Sequence, residues 1–275
     1  MDFSVLFPGL DDWIASLKTA FPASVIRAHA WMFPVIQTLH LLALSAIGGS
    51  VLLVSLRMMG AGLTGATFER IERSVRPILI ASLVVVAVTG LLMASVVAAK
   101  LYGRPAYFLK MVALVAGLIL SLGVARSVAR REGVLTRPAQ IMAGAALAIW
   151  LYAVWIFSTS AGAAPGMFHV VCAGWLVAMA FGSRMTQIVL GAITAVAVTG
   201  IAIVTYGVYH PMEEYDLVME INRWAVRVAG LVVAGFLVWE FARPSPVRLI
   251  GALTILVWFT VAASGRWIGL GGGGA

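Results

Sequence analysis

One cysteine, Cys172, stands in the whole chain, so an intrachain disulfide framework is excluded and the redox compartment stays unmarked. Charge is scarce too. Only 11% of the 275 residues are Asp, Glu, Lys or Arg, whereas a soluble domain carries about 25%. Acidic pairs are missing from the apolar runs, which leaves intramembrane paired-carboxylate chemistry without its groups. There is no Walker A sequence, no GxGxxG after a strand, no HExxH and no CxxC. P-loop hydrolysis, dinucleotide binding, zincin chemistry and thioredoxin-like exchange therefore have no motif to rest on. The segments between apolar runs are too short for a soluble catalytic domain, and no residue is assigned a catalytic role.

Hydrocarbon fills the chain instead. Hydrophobic residues make up 62% and the mean hydropathy is +1.02. The charges cluster between apolar runs of roughly 20 residues, the length at which a helix crosses a bilayer core. Membrane β-barrels are excluded, because their strands alternate over about 10 residues and these runs are continuous. The net charge of +8 and pI near 10.3 reflect topology rather than nucleic acid, since no basic patch interleaved with aromatics occurs. The partner implied is the lipid bilayer.

The expected fold is an all-α integral membrane protein with eight transmembrane helices, at about 34–57, 77–99, 107–126, 139–158, 164–183, 186–208, 222–241 and 247–265. Pro34, Pro77, Pro138 and Pro246 fall at or near span starts, where a missing N–H costs little. Residues 1–33 form an outer-side segment with no basic n-region, unlike a cleavable signal. Within it, 10–19 read as a short amphipathic surface helix carrying Trp13. His29 sits near the outer boundary as an interfacial residue. Eleven basic residues fall on the side of loops 1–2, 3–4, 5–6 and 7–8, and seven on the other. The positive-inside bias then places both termini outside, in the periplasm if the membrane is a bacterial inner (plasma) membrane.

The spans repeat. "ILIASLVVVAVTG" (78–90) matches "IVLGAITAVAVTG" (188–200), sharing "VAVTG", and "KMVALVAGL" (110–118) matches "RWAVRVAGL" (223–231). "HLLALSAIGGS" pairs with "HVVCAGWLVAM", setting His40 against His169 and Arg57 against Arg184, and "AIWLYAV" pairs with "LVWFTVA". Four matches in one order predict two parallel four-helix repeats, 34–158 and 164–268, followed by a Gly-rich tail at 269–275. An even number of helices per unit keeps both copies in the same orientation.

His40 and His169 then lie at equal depth, roughly 8–9 Å below the outer boundary. Two facing neutral imidazoles supply the axial ligands of a b-type haem. Ala43, Gly48, Gly49 and Ser50 near one histidine, and Ala173 and Gly174 near the other, would let a flat ring approach. Lys110, Arg223 and Arg227 lie at the outer span ends, where propionates could be neutralised. The other readings stay open. Each histidine could hydrogen-bond within the bundle, with Gln37, Thr38 or Ser45 as partners for His40. His40, His169, Cys172 and Met167 could hold copper, with soft sulfur and imidazole selecting Cu(I) and His210, Met212 and Met219 nearby in the 210–220 loop. Proton or solute transport is a further class. Arg227 has Glu220 on the same helical face as a simple partner, and Glu240 has Arg243.

"WMFPVIQTLHLLALSAIGGSVLLVSLRMMG" (31–60), "GRPAYFLKM" (103–111) and "VWFTVAASGRWIG" (257–269) together resemble a family of bacterial multi-pass membrane proteins of unknown function. The first-helix histidine followed by small residues is similar, more distantly, to copper-resistance-D-like membrane proteins and to the membrane haem protein that oxidises protoporphyrinogen. The resemblance implies a multi-pass bundle. Relatives often carry another histidine late in the third span, where this chain reads "LILSLGVARS" (118–127), so an inner-side second site is not expected. The leading expectation is a haem-b electron-transfer or redox-sensing subunit with a periplasmic redox partner. Copper handling and a cofactor-free structural subunit are the alternatives.

Overall fold

Apolar runs with no water to serve their backbone must close every N–H and C=O locally, and helices do so. The computed structural model describes residues 2–160, 163–207 and 215–270, the side chains of 163–167, 204–207, 215–219 and 269–270 excepted. Among the described residues there is no strand. Three short helices, α1 (Phe3–Leu6), α2 (Asp11–Leu17) and α3 (Ala23–Ala28), precede the long ones. Next come α4 (Met32–Met59), α5 (Phe68–Tyr102) and α6 (Pro105–Leu118). A π-helical turn at Ile119–Val124 carries α6 on into α7 (Ala125–Ala129). The remainder are α8 (Arg137–Ser158), α9 (Ala163–Phe181), α10 (Arg184–Gly207), α11 (Tyr215–Leu237) and α12 (Pro246–Leu270). A second π turn, Val238–Ala242, ends α11. Seven of these rods are long and apolar enough to cross a bilayer. The described apolar part of α9, Phe168–Phe181, is shorter.

The second crossing starts earlier than proline suggests. Pro77 lies inside α5, which begins nine residues before it. The extension is polar, and i,i+4 pairs Glu69–Arg73 (2.6 Å) and Glu72–Arg76 (3.3 Å) support it. Its N-terminus is doubly capped. Thr67 accepts from the Arg70 N–H, and Glu132, reaching from the α7–α8 turn, accepts from the N–H groups of Phe68 and Glu69 at 3.0 and 3.1 Å. Those two bonds hold the Glu132 carboxyl below the usual glutamate range. A depressed folded value contributes stability above the unfolded value, and that contribution is lost as pH falls through the folded one. Glu132→Gln is therefore expected to lower the melting temperature at neutral pH, with the gap to wild type closing in acid. A gap that stays constant with pH would show that the carboxylate charge is not what holds the cap.

Packing centres on the last helix. In hydrocarbon the burial of apolar surface gives little drive, so helices associate where small residues let backbones approach. α12 packs on α4, α6 and α9, and 61% of its apolar window is buried against 11–44% for the other crossing helices. Gly251 lies where a Cβ would meet the Met58 Cβ at 2.8 Å and the Ser55 carbonyl at 2.9 Å. Gly117 on α6 lies under the Trp258 indole in the same way, with a Cβ at 2.9 Å from Cε2. Trp258 donates to Ser121 Oγ (2.8 Å) within the π turn, and Trp150 of α8 donates to Thr260 Oγ1 (3.1 Å). The two helices paired by the last sequence match have different neighbours. α8, the counterpart of α12, packs chiefly on α6 and its π turn.

Candidate functional site

His40 is buried on the inward face of α4, in line with Ala43, Ile47 and Ser50, while Leu39, Leu41 and Leu42 face lipid. Gly48 and Gly49 are exposed, with open space where a Cβ would stand, so they do not line a slot beside the imidazole. The ring meets α5 instead. Its Nδ1 is 2.8 Å from Thr89 Oγ1, and its Cε1 is 3.4 Å from where a Cβ on Gly90 would lie. None of Gln37, Thr38 and Ser45 is the partner. Thr38 and Ser45 bond back to carbonyls of their own helix.

The Thr89 hydroxyl fixes the histidine tautomer. Its one proton goes to the Val85 carbonyl at 2.6 Å, since a carbonyl only accepts. Thr89 therefore has only a lone pair for the ring, and Nδ1–H must donate to it. Nε2 is left as an unprotonated acceptor, and it is buried with no hydrogen-bond partner among the described residues. A buried polar atom in that state costs about 1–3 kcal/mol. The arrangement is the one second-shell hydrogen bonds impose on ligating imidazoles.

Lys110 belongs to the neighbouring helix pair, α6 and α12. It lies one and a half turns into α6 with its side chain against α12, Nζ standing 3.5 Å from where a Cβ on Gly265 would be. The ion pairs among the described residues are Glu69–Arg73, Glu72–Arg76 and Glu220–Arg223, so none supplies Lys110 with a carboxylate. A half-buried ammonium thus stands between α6 and α12, and a buried imidazole lone pair between α4 and α5.

The other expected ligands lie elsewhere. His169 sits on an exposed face of α9, its ring edge-on to Trp267 of α12 at 5.4 Å. Cys172, one turn on, is half-buried. His40 thus packs on α5 and His169 on α12. The Met167 side chain and the 210–214 part of the Met-rich loop, with the side chains to 219, lie outside the described residues. No three His, Cys, Asp or Glu side chains gather as metal ligands among the described residues. Arg223 is held by Glu220 at 3.1 Å. Arg227 does not pair with Glu220. It donates to the Ser158 carbonyl at the C-terminal end of α8 (2.7 Å) and lies over Trp224, a cation completing a helix end. Glu240 accepts from Thr186 (2.6 Å) and Ser183 (3.0 Å), while Arg243 stacks on Trp239. His29 contacts the Val25 carbonyl of its own helix.

Thr89 escaped the reading of the sequence, although its signal was present. The "VAVTG" shared by both halves ends in the Thr–Gly pair that receives the His40 ring. In the second half Thr199 is exposed, as is His169. Also unforeseen is a cavity of about 20 Å³ toward the arginine-rich end, lined by Ser50, Ser55, Glu72, Arg76, Ser121 and Thr254. That is room for about one water, with polar partners enough to hold it.

Residues 17–168, more than half of the chain, match the model of a family described as a family of unknown function (DUF6644). The match takes in His40, Thr89 and Lys110 and ends one residue before His169. No curated protein and no solved structure matches the chain.

Proposed function

Since the chain belongs to the DUF6644 family, a family of unknown function, we propose its role from its own residues: a multi-pass membrane subunit that holds a b-type haem on His40, for electron transfer or redox sensing. The observation that carries this reading is the buried Nε2 lone pair of His40, pinned as an acceptor by Thr89. A lone pair asks for a Lewis acid, and the Lys110 ammonium on α6 asks for an anion. Haem b joins the two in one ligand, an iron that takes imidazole and propionates that take a cation. The placement of His169 against Trp267 favours ligation by one imidazole over ligation by the pair.

The scaffold we propose has eight spans in two parallel four-helix repeats. At 19 residues, α9 is about 28 Å long, close to the thickness of the hydrocarbon core. The third and seventh rods, paired by the sequence matches, each carry a π turn, the second lying six residues beyond the place that an offset of 113 gives for the first. Such turns are often found at functional sites.

The test is the visible spectrum of protein purified from haem-replete cells. A Soret band is expected in wild type and in His169→Ala, absent in His40→Ala, and weakened in Thr89→Val, which frees the ring to rotate. A colourless wild-type protein, or a band that survives in His40→Ala, overturns the reading. His40 is then an interhelical hydrogen bond of structural value alone.

A further inference from the structure

A second cavity, of about 440 Å³, lies at the other end of the bundle from the arginine-rich loops. Its roof is Phe3, Phe7 and Ile14 of the N-terminal segment, and its floor is Leu91, Ala94 and Ala98 along one face of α5. Ala94 and Ala98 keep the floor low, and Tyr107 and Met111 of α6 close one side. The volume lies in the range of small-ligand sites, and the walls are almost wholly hydrocarbon. Its place is the membrane boundary, where α2 packs on α5 with Trp13 exposed beside it.

We infer that this cavity takes one acyl chain of a zwitterionic bilayer phospholipid. The hydroxyl inventory separates this ligand from a quinone. Tyr102 donates to the Phe7 carbonyl, and Ser95 donates to the Leu92 carbonyl at 2.8 Å. Of the hydroxyls on the wall, that of Tyr107 alone carries no hydrogen bond among the described residues. One donor suits the single ester carbonyl at the head of an acyl chain, whereas a quinone ring brings two carbonyls. Charges of both signs adjoin the lining residues along the chain. Lys18 and Lys100 follow or precede the lining residues Leu17 and Leu101, and Asp11 and Asp12 follow Leu10. A headgroup with a phosphate and an amine complements those charges. The lipid would fill the space under α1 and α2 and fasten them to the bundle.

Protein stripped of lipid by detergent washing and then offered pyrene-acyl phosphatidylethanolamine tests this. About one labelled lipid per chain is expected to survive gel filtration. Ala98→Phe, which fills the floor, should lower that retention about tenfold, the effect of excluding roughly two methylene groups. Should Ala98→Phe fail to fold, Tyr107→Phe is the second variant. It removes the ester's donor and should speed loss of the label while leaving the melting temperature of stripped protein unchanged. Equal retention by wild type and the folded variant overturns the inference, as does preferential uptake of decylubiquinone over the labelled lipid. The His40 spectrum serves as a separate readout, because Ala98 does not touch that histidine.

Discussion

Gly251→Ala is expected to destabilise the protein by about 1–3 kcal/mol, the range for forcing extra volume into a packed seam. The added methyl would sit 2.8 Å from the Met58 Cβ and 2.9 Å from the Ser55 carbonyl. Neither atom can swing away, because one is fixed to the backbone and the other belongs to it. Relief requires α12 and α4 to separate, which also loosens the α12 contacts with α6 and α9. Gly49→Ala is the control. It lies on α4 too, yet a Cβ there meets nothing within 4 Å, and alanine is the better helix former by about 1 kcal/mol. Thermal melts in one detergent should rank Gly49→Ala at or above wild type and Gly251→Ala well below it. Equal melting temperatures for the two variants would show that the α4–α12 seam yields freely.

Lys110→Met carries the second large effect, and its two parts have opposite sign. Methionine keeps the length of the side chain along Gly265 and removes an ammonium for which the described ion pairs provide no carboxylate. Unpaired charge within a span is expensive, so the ligand-free protein should gain about 1–3 kcal/mol of stability. The same change removes the proposed propionate partner. Haem retention should weaken about tenfold or more, the worth of one hydrogen bond to a charged group. Gain in stability with loss of ligand is what a site held at the expense of the scaffold produces. A variant that is both less stable and unchanged in haem retention would make Lys110 a packing residue.

Some of this was legible from the sequence. Long apolar runs bounded by arginines gave the crossing helices, since chain length and hydrocarbon thickness leave few other solutions. The start of α5 was not legible from Pro77, because the helix continues outside the apolar run on charge pairs and on a cap from Glu132. Side chains close along the chain are not always the ones that meet in space. Glu220 was the obvious partner for Arg227, but Arg223 and Trp224 hold it, and Arg227 turns to the end of α8. Glu240 ignores Arg243 for Ser183 and Thr186 on the preceding loop and helix. His40 finds Thr89, 49 residues away. The sequence matches pair His40 with His169, yet matched residues need not meet like neighbours, and here one is buried and the other exposed.

The central place of α12 has a consequence for how the chain is made. Ribosomes deliver helices in order, so α4, α6 and α9 are made before α12, the helix that all three pack against. Until α12 is in place, the surface that meets Gly251, Trp258 and Gly265 lacks its protein neighbour. Lys110 spends that interval without the surface its stem rests on. The surface on which the Lys110 stem rests is thus completed only once α12 is made, whereas the His40–Thr89 contact joins α4 and α5, which precede it.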